Sequence, residues 1–313
     1  MKFLFALALL AATSAAAQYP SKPVRVLVPF GAGSSTDIVM RILAQPLGQA
    51  LGQPVVVENK PGADGAIAAA EVAKAAPDGH TVVLGTNSPF SAGPHLRKVP
   101  YDPIADFTPI TLVGNYTFFV VVHPSVPART LADLIAHARA NPGKLNYATG
   151  NTSGIVMTAM LASQANMDLA HIPYKSEPPA ITDLLSGTIQ VMISSYATVA
   201  PHLREGKLRA LVTTLPNRSP LMPEVPTIVE AGFPKFSVSP WAGMFGPARM
   251  PKDVTERLNR ELNVLLKRLD VRESLAKQAF DPKGSTTEEF SAYVKDQYEI
   301  WGRAIREAGI QPE

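Results

Sequence analysis

The sequence predicts an α/β protein of two lobes, each a sheet flanked by helices, joined by a hinge that the chain crosses twice. Three observations carry this expectation. Up to Gly85 short apolar β-rich runs alternate with helical periodicity. A strand, polar loop and helix follow one another twice, with loops at residues 31–37 and 149–154. From Pro251 onward the pattern is helical.

Taken in order, residues 24–28 read as a buried strand ended by Pro29. Phe30, Gly31, Ala32 and Gly33 form a tight turn. Ser34, Ser35, Thr36 and Asp37 open a helix over 37–51, with Ile38, Ile42, Leu43 and Leu47 at helical spacing. Residues 54–57 are a short strand, 59–65 a loop, 66–76 an Ala-rich helix stopped by Pro77, Asp78 and Gly79, and 81–85 a third strand. This βαβαβ order calls for parallel strands with helices on the faces of their sheet. Strands are expected at 118–122, 146–148, 171–174, 190–193 and 208–213, and helices at 131–140, 155–165 and 179–186. Val254, Leu258, Leu262 and Leu265 mark a helix over 252–269; Thr286 and Glu289 form a capping box ahead of 290–308, with Gly309 as the stop. The chain is expected to leave the first lobe near 121–124 and return near 237–241. That gives a first lobe of 18–122 with 240–313 and a second of 123–239. Two crossings make a hinge and a cleft able to close on a ligand.

Residues 1–17 read as a cleavable signal peptide. Lys2 supplies the positive start, and residues 3–12 an apolar run shorter than the ~20 residues a bilayer needs. Ala15, Ala16 and Ala17 fit the small-residue cleavage pattern, which puts the cut before Gln18. No other long apolar run follows, so the mature chain is expected to be soluble and outside the cytoplasm. With no Cys there is no disulfide framework, thiolate metal site, Cys nucleophile or lipid-anchored Cys. Lys and Arg fall from 29 to 28 without Lys2, against 26 acids. A balance of about +2 without a basic block does not argue for nucleic acid. About 295 mature residues suffice for a large core and two domains.

A strand that feeds a Gly/Ser loop into a helix start leaves backbone N–H groups aimed at one spot, which favours an anion. The first such loop offers Phe30, Gly33, Ser34, Ser35 and Asp37. Asp37 either caps its own helix in an S-x-x-D pair with Ser34 or orients groups around the ligand; Phe30 either walls a pocket or packs in the core. The second offers Thr149, Gly150, Asn151, Thr152 and Ser153, with Gly150 and Gly154 permitting close backbone approach. Thr86, Asn87 and Ser88 follow the third strand, where open α/β sheets hold ligands. Ser194, Ser195 and Tyr196 are their counterparts in the second lobe. Lys175, after Tyr174, either balances a ligand carboxylate or is solvated, and Trp241 lines the cleft or packs the hinge. The sequence has no G-x-S-x-G elbow, Walker A, H-E-x-x-H or complete G-x-G-x-x-G, and its six His are scattered. No catalysis, cofactor or metal is expected; a hydrolase triad assembled in space is the enzymatic alternative.

Several motifs then occur in order: VRVLVPFGAGSSTD from Val24, VVENKPG from Val56 with its neighbours, AAPDG from Ala75, VPYDP from Val99, IPYK from Ile172, GKLRA from Gly206, VPT from Val225 and AGI from Ala308. Over essentially the whole mature chain this series resembles the Bug-type solute-binding proteins of tripartite tricarboxylate transporters. The resemblance implies a periplasmic two-lobe binding protein, a monomer, that holds a small organic carboxylate and delivers it to a membrane permease, or presents its closed form to a membrane receptor as a sensor. It implies ligand contacts from the loops at residues 30–37 and 149–153 and from those after Leu84 and Ile193. The chain departs from the family twice. Its first loop reads Gly31-Ala32-Gly33-Ser34-Ser35 where Pro-Gly-Gly is usual, and Ser194-Ser195 stand where many relatives carry Asp. Loss of that acid argues against an amino-acid ligand, whose ammonium needs a partner, and favours a di- or tricarboxylate or an aromatic acid.

Overall fold

Two sheets organise the chain. The computed structural model describes residues 19–312 apart from 216, 235 and 237; the expected signal peptide lies outside the described residues. In the first sheet β1 (Val24–Val28) lies between β2 (Val55–Asn59) and β3 (Thr81–Thr86), all parallel. Antiparallel β10 (Trp241–Pro247) joins β3 to β4 (Phe107–Tyr116), and β11 (Phe280–Pro282) closes the far edge on β4. In the second sheet β6 (Asn146–Thr149) lies between β7 (Ala170–Pro173) and β8 (Val191–Ser195), again parallel. Antiparallel β5 (Phe118–Val122) joins β8 to β9 (Arg209–Thr213). The two sheets share one plan: three parallel strands, then an antiparallel strand delivered by the chain as it arrives from the other lobe.

Helices α1 (Ser35–Leu51) and α2 (Ala66–Ala73) make the crossovers of the first sheet, and α5 (Thr152–Ala165) and α6 (Glu177–Leu185) those of the second. Short α3 (Gly93–Leu96) follows β3; α4 (Leu131–Ala140) and α7 (Tyr196–Arg204) belong to the second lobe. After β10 come α8 (Lys252–Lys267), α9 (Leu269–Ala276) and α10 (Thr287–Glu307), which pack on the first lobe. Thr286 and Glu289 close the expected capping box on α10.

The period of two places side chains on alternate faces. Val26 and Val28 pack with Met40, Leu43 and Leu262 on one face of the first sheet. Leu27 and Val83 pack with Trp241, Phe245 and Phe290 on the other. Phe90 stacks on Phe245 with ring centroids 4.1 Å apart. In the second sheet Val120 and Ile193 face α5, while Phe119 and Met192 join Ala180 and Leu184 of α6.

Two expectations need correction. Strand 118–122, assigned to the first lobe, pairs with β8 and β9 in the second, so the first crossing falls at Thr117 between β4 and β5 and not at 121–124. All five residues of β5 are buried; a run apolar on both faces does not reveal which sheet it joins. The C-terminal region is not helical throughout, because β11 interrupts it to pair with β4.

Candidate ligand cleft

The carboxyl ends of β1, β3 and β6 converge between the lobes, and the cleft lies there. From the first lobe, Gly33 turns the chain at φ +79°, a left-handed conformation suited to glycine. Ser34 Oγ accepts the Asp37 N–H at 3.3 Å and caps α1. The α1 start, with Ser34, Ser35 and Thr36, lines the cleft beside the Phe30 ring. Burial alone would raise the Asp37 carboxyl. Hydrogen bonds from Arg41 Nε at 2.9 Å, Gly33 N–H at 2.9 Å and Asn59 Nδ2 at 3.0 Å outweigh burial and hold it below the ordinary range. Asp37 thus fastens the loop to its helix and to β2.

From the second lobe, Asn151 Oδ1 accepts the Gly154 N–H at 2.9 Å and caps α5. Gly150, Asn151 and Ser153 line the cleft. A Cβ on Gly150 would lie 2.3 Å from the Glu177 backbone N, so the α5 start and the α6 start touch through a bare backbone. Asn87 spans the gap between lobes: its Nδ2 donates to Ser153 Oγ at 2.6 Å, and its Oδ1 accepts the Trp241 N–H at 3.3 Å. Ser88 Oγ lies 3.4 Å from Ser153 Oγ. Thr86 lines the same space, and its Oγ1 is buried with no hydrogen-bond partner among the described residues.

Thr36, within the expected loop 30–37, also lines the cleft; Tyr116, Phe118, Pro240 and Glu177 complete the lining and were not anticipated. Tyr116 donates to Thr36 Oγ1 at 3.1 Å. Phe118 and Pro240 belong to the two crossings, so the hinge itself forms a wall. Glu177, at the first position of α6, is 3% exposed. Its carboxylate accepts from Ser195 Oγ at 2.7 Å, Thr198 Oγ1 at 2.9 Å, Ser195 N–H at 3.3 Å and Asn151 Nδ2 at 3.4 Å. Burial pushes this carboxyl above the ordinary range against the pull of those donors. An acid from α6 thus lies against Ser195, where the sequence expectation placed none, and the cleft is not free of acids. A sequence signal existed: Ser176-Glu177-Pro178-Pro179 reads as a helix start with an acid in its first turn. The space between these lining residues, its mouth to solvent included, is about 330 Å³, the scale of a small-molecule site.

Of the residues expected at the site, Phe30, Ser34, Ser35, Thr86, Asn87, Ser88, Gly150, Asn151 and Ser153 line this cleft. The others lie outside the lining. Gly33 and Asp37 sit behind the first loop. Thr149 shares a hydrogen bond with His171 Nε2 at 2.6 Å, and Thr152 is buried with its hydroxyl unpartnered. Tyr174 donates to Asp183, Lys175 is exposed, Ser194 bonds Thr198, and Ser195 bonds Glu177. Both residues lie just past the end of β7, with Tyr174 half-buried against the core of the second lobe and Lys175 exposed. Trp241 is buried in the core of the first lobe.

Residues 39–310 match the family model described as tripartite tricarboxylate transporter family receptor. The chain is 35% identical to protein BugT of Bordetella pertussis over 306 residues, 96% of this chain and 94% of BugT. It is similar to an R. palustris protein solved with adipate, at a TM-score of 0.91 and 29% identity over 94% of this chain and 100% of that one. It is also similar to MatC from Rhodopseudomonas palustris with bound malate, at a TM-score of 0.87 and 31% identity over 92% and 100%.

Proposed function

Because the chain belongs to the tripartite tricarboxylate transporter receptor family, we propose that it captures a small organic acid, a di- or tricarboxylate or an aromatic acid, in the interlobe cleft and delivers it to a tripartite tricarboxylate-type membrane permease. One observation carries this reading. Two helix starts, one from each lobe, meet at one small cleft also lined by Thr86, whose buried hydroxyl has no partner among the described residues. Backbone N–H groups and hydroxyls suit a carboxylate, and adipate and malate in the related structures favour a dicarboxylate. Each helix end contributes roughly 0.3–1 kcal/mol, whereas micromolar affinity needs about 8 kcal/mol. Direct hydrogen bonds in a closed cleft that excludes water must supply the rest. Among the cleft-lining residues there is no His to activate a serine, which favours binding without turnover. The signal peptide would send the chain to the periplasm, and one chain carries both halves of the cleft, so it acts as a monomer.

The test is calorimetric titration of the mature protein, unfolded and refolded to strip carried ligand. The probes are adipate, malate, citrate, benzoate and glutamate. Saturable one-to-one binding without turnover supports the proposal. No binding by any of these acids overturns the carboxylate reading.

A further inference from the structure

Besides the Tyr116 phenol, Glu177 is the one titratable side chain lining the cleft among the described residues, and no Lys or Arg lines it. Its two oxygens have different neighbours. Oε1 accepts from the Ser195 N–H and from Asn151 Nδ2, groups that can only donate. The Asn151 amide cannot turn over, since its Oδ1 caps α5 on the Gly154 N–H. Oε2 meets only hydroxyls, Ser195 Oγ at 2.7 Å and Thr198 Oγ1 at 2.9 Å. A hydroxyl donates or accepts as needed. Thr198 Oγ1 also has the Ser195 carbonyl 2.9 Å away to receive its own proton. A proton on Oε2 therefore has a place: Oε2–H donates to Thr198 Oγ1, which donates to the Ser195 carbonyl, and no group is left unsatisfied.

The neighbouring charges do not compensate an ionised Glu177. On α6, Asp183 is taken by Tyr174. On α7, Arg204 donates to Tyr196 OH, and His202 lies in the last turn. On β6 and β7, Tyr147 stacks on His171, which is bonded to Thr149. On β4, Tyr116 donates to Thr36, and on α1, Asp37 is held by Arg41. Exposed Lys175 is outside the lining. A ligand carboxylate drawn to the helix starts would meet a second negative charge in a dry cleft, and two carboxylates sharing one site do not both stay ionised.

We propose that Glu177 holds a proton in the closed cleft, so that a dianionic acid is bound together with one proton. Because its hydrogen-bond partners all lie in the second lobe, Glu177 is already partly protonated in the stripped protein, and closure on a dianionic acid takes up the remainder from solvent, a hydronium ion giving up the O–H bond that Oε2 gains. This rests on the carboxylate reading of the cleft, and it makes Glu177 a selector: it favours an acid over an ion that brings its own ammonium.

Wild type and Glu177→Gln are compared, stripped of ligand, by urea unfolding between about pH 4 and 8. An acid whose folded form retains its proton loses stability relative to its neutral mimic as pH rises above the ordinary glutamate value of 4.5. Wild type should fall relative to Glu177→Gln over that range; parallel curves, or a rise, overturn the proposal. Titrations with adipate and malate should weaken with rising pH in wild type, by up to about tenfold per unit, and stay flat in Glu177→Gln. Glutamate binding more tightly than malate in wild type and losing that advantage in Glu177→Gln would mean an ionised Glu177 paired with an ammonium, and overturns it. Infrared spectroscopy of the wild type needs no variant: a protonated-carboxyl stretch persisting at neutral pH supports the proposal, and its absence refutes it. If the unfolding arm behaves as expected but no acid binds, the carboxylate reading fails while the proton on Glu177 stands.

Discussion

Ser153→Ala removes the hydroxyl through which Asn87 and Ser88 of the first lobe reach the second. Ser153 Oγ accepts from Asn87 Nδ2 at 2.6 Å across the cleft. Removing it leaves a buried donor, because Asn87 is 1% exposed and stays fixed through the Trp241 N–H on its other end. An unsatisfied buried polar group costs about 1–3 kcal/mol. The open form does not bear that cost, since water reaches the amide there, so the closed-to-open ratio should fall by about 5- to 150-fold. Ala at the second position of α5 keeps the helix, so unfolding free energy should change by less than about 0.5 kcal/mol. The chain has no native Cys. Ile67→Cys on the first lobe and Val229→Cys on the second, both exposed, can therefore take a donor and an acceptor dye. Single-molecule energy transfer on ligand-stripped protein should show the closed population shrinking in Ser153→Ala. An unchanged distribution refutes the reasoning. So does a loss of unfolding free energy matching the expected shift, which would make the contact one of folding and not of closure.

Gly150→Ala should destabilise by about 1–3 kcal/mol or more in urea, since its Cβ would meet the Glu177 N and Ser176 C atoms at 2.3 and 2.4 Å and neither backbone can step aside cheaply. Thr86→Val should divide two properties: thermal stability holds or rises because an unpartnered buried hydroxyl is removed, while calorimetric affinity for the acids that bind falls. Asp37→Asn bears on acid sensitivity. The folded Asp37 carboxyl lies below its ordinary value of 3.8, so its contribution is present above that value and lost as pH falls through the folded one. The variant should be less stable at neutral pH and converge with wild type as pH falls well below 3.8, by unfolding at each pH.

The parts of the site that local chemistry dictates were legible in the sequence. Gly33, Ser34 and Asp37 define a turn and a cap within five residues, and Gly150 with Asn151 does the same at α5. The parts that arrive from far along the chain were not. β4 carries Pro109 and Gly114, and its pairing with β10 shifts register twice. Pro and Gly argue against a central strand, so the ten residues that deliver Tyr116 to the cleft were given no element. β10 has two internal glycines for the opposite reason: a Cβ on Gly243 would lie 2.0 Å from the Phe290 ring, and the strand pays with its own propensity for that close packing. Glu177 escaped because the helix was started at Pro179, two residues late, and because its partners Ser195 and Thr198 lie on another strand and helix.

On the proposed function, the shared plan of the sheets would make binding and closure one event. In each lobe the parallel strands aim their carboxyl ends, and the helices that follow them, at the gap, while the antiparallel strands β5 and β10 come straight from the hinge. Phe118 and Pro240 therefore wall the cleft from the crossings themselves, and Asn87 bonds both the opposite lobe and the start of β10. A molecule touching Thr86 and the α1 start alone would bind open and closed forms equally and shift nothing. One that also reaches Gly150, Asn151 and Ser153 binds the closed form better by those added contacts, and that difference is the whole driving force for closure. A small acid with polar groups at both ends meets this requirement, since each end can satisfy the helix start of a different lobe.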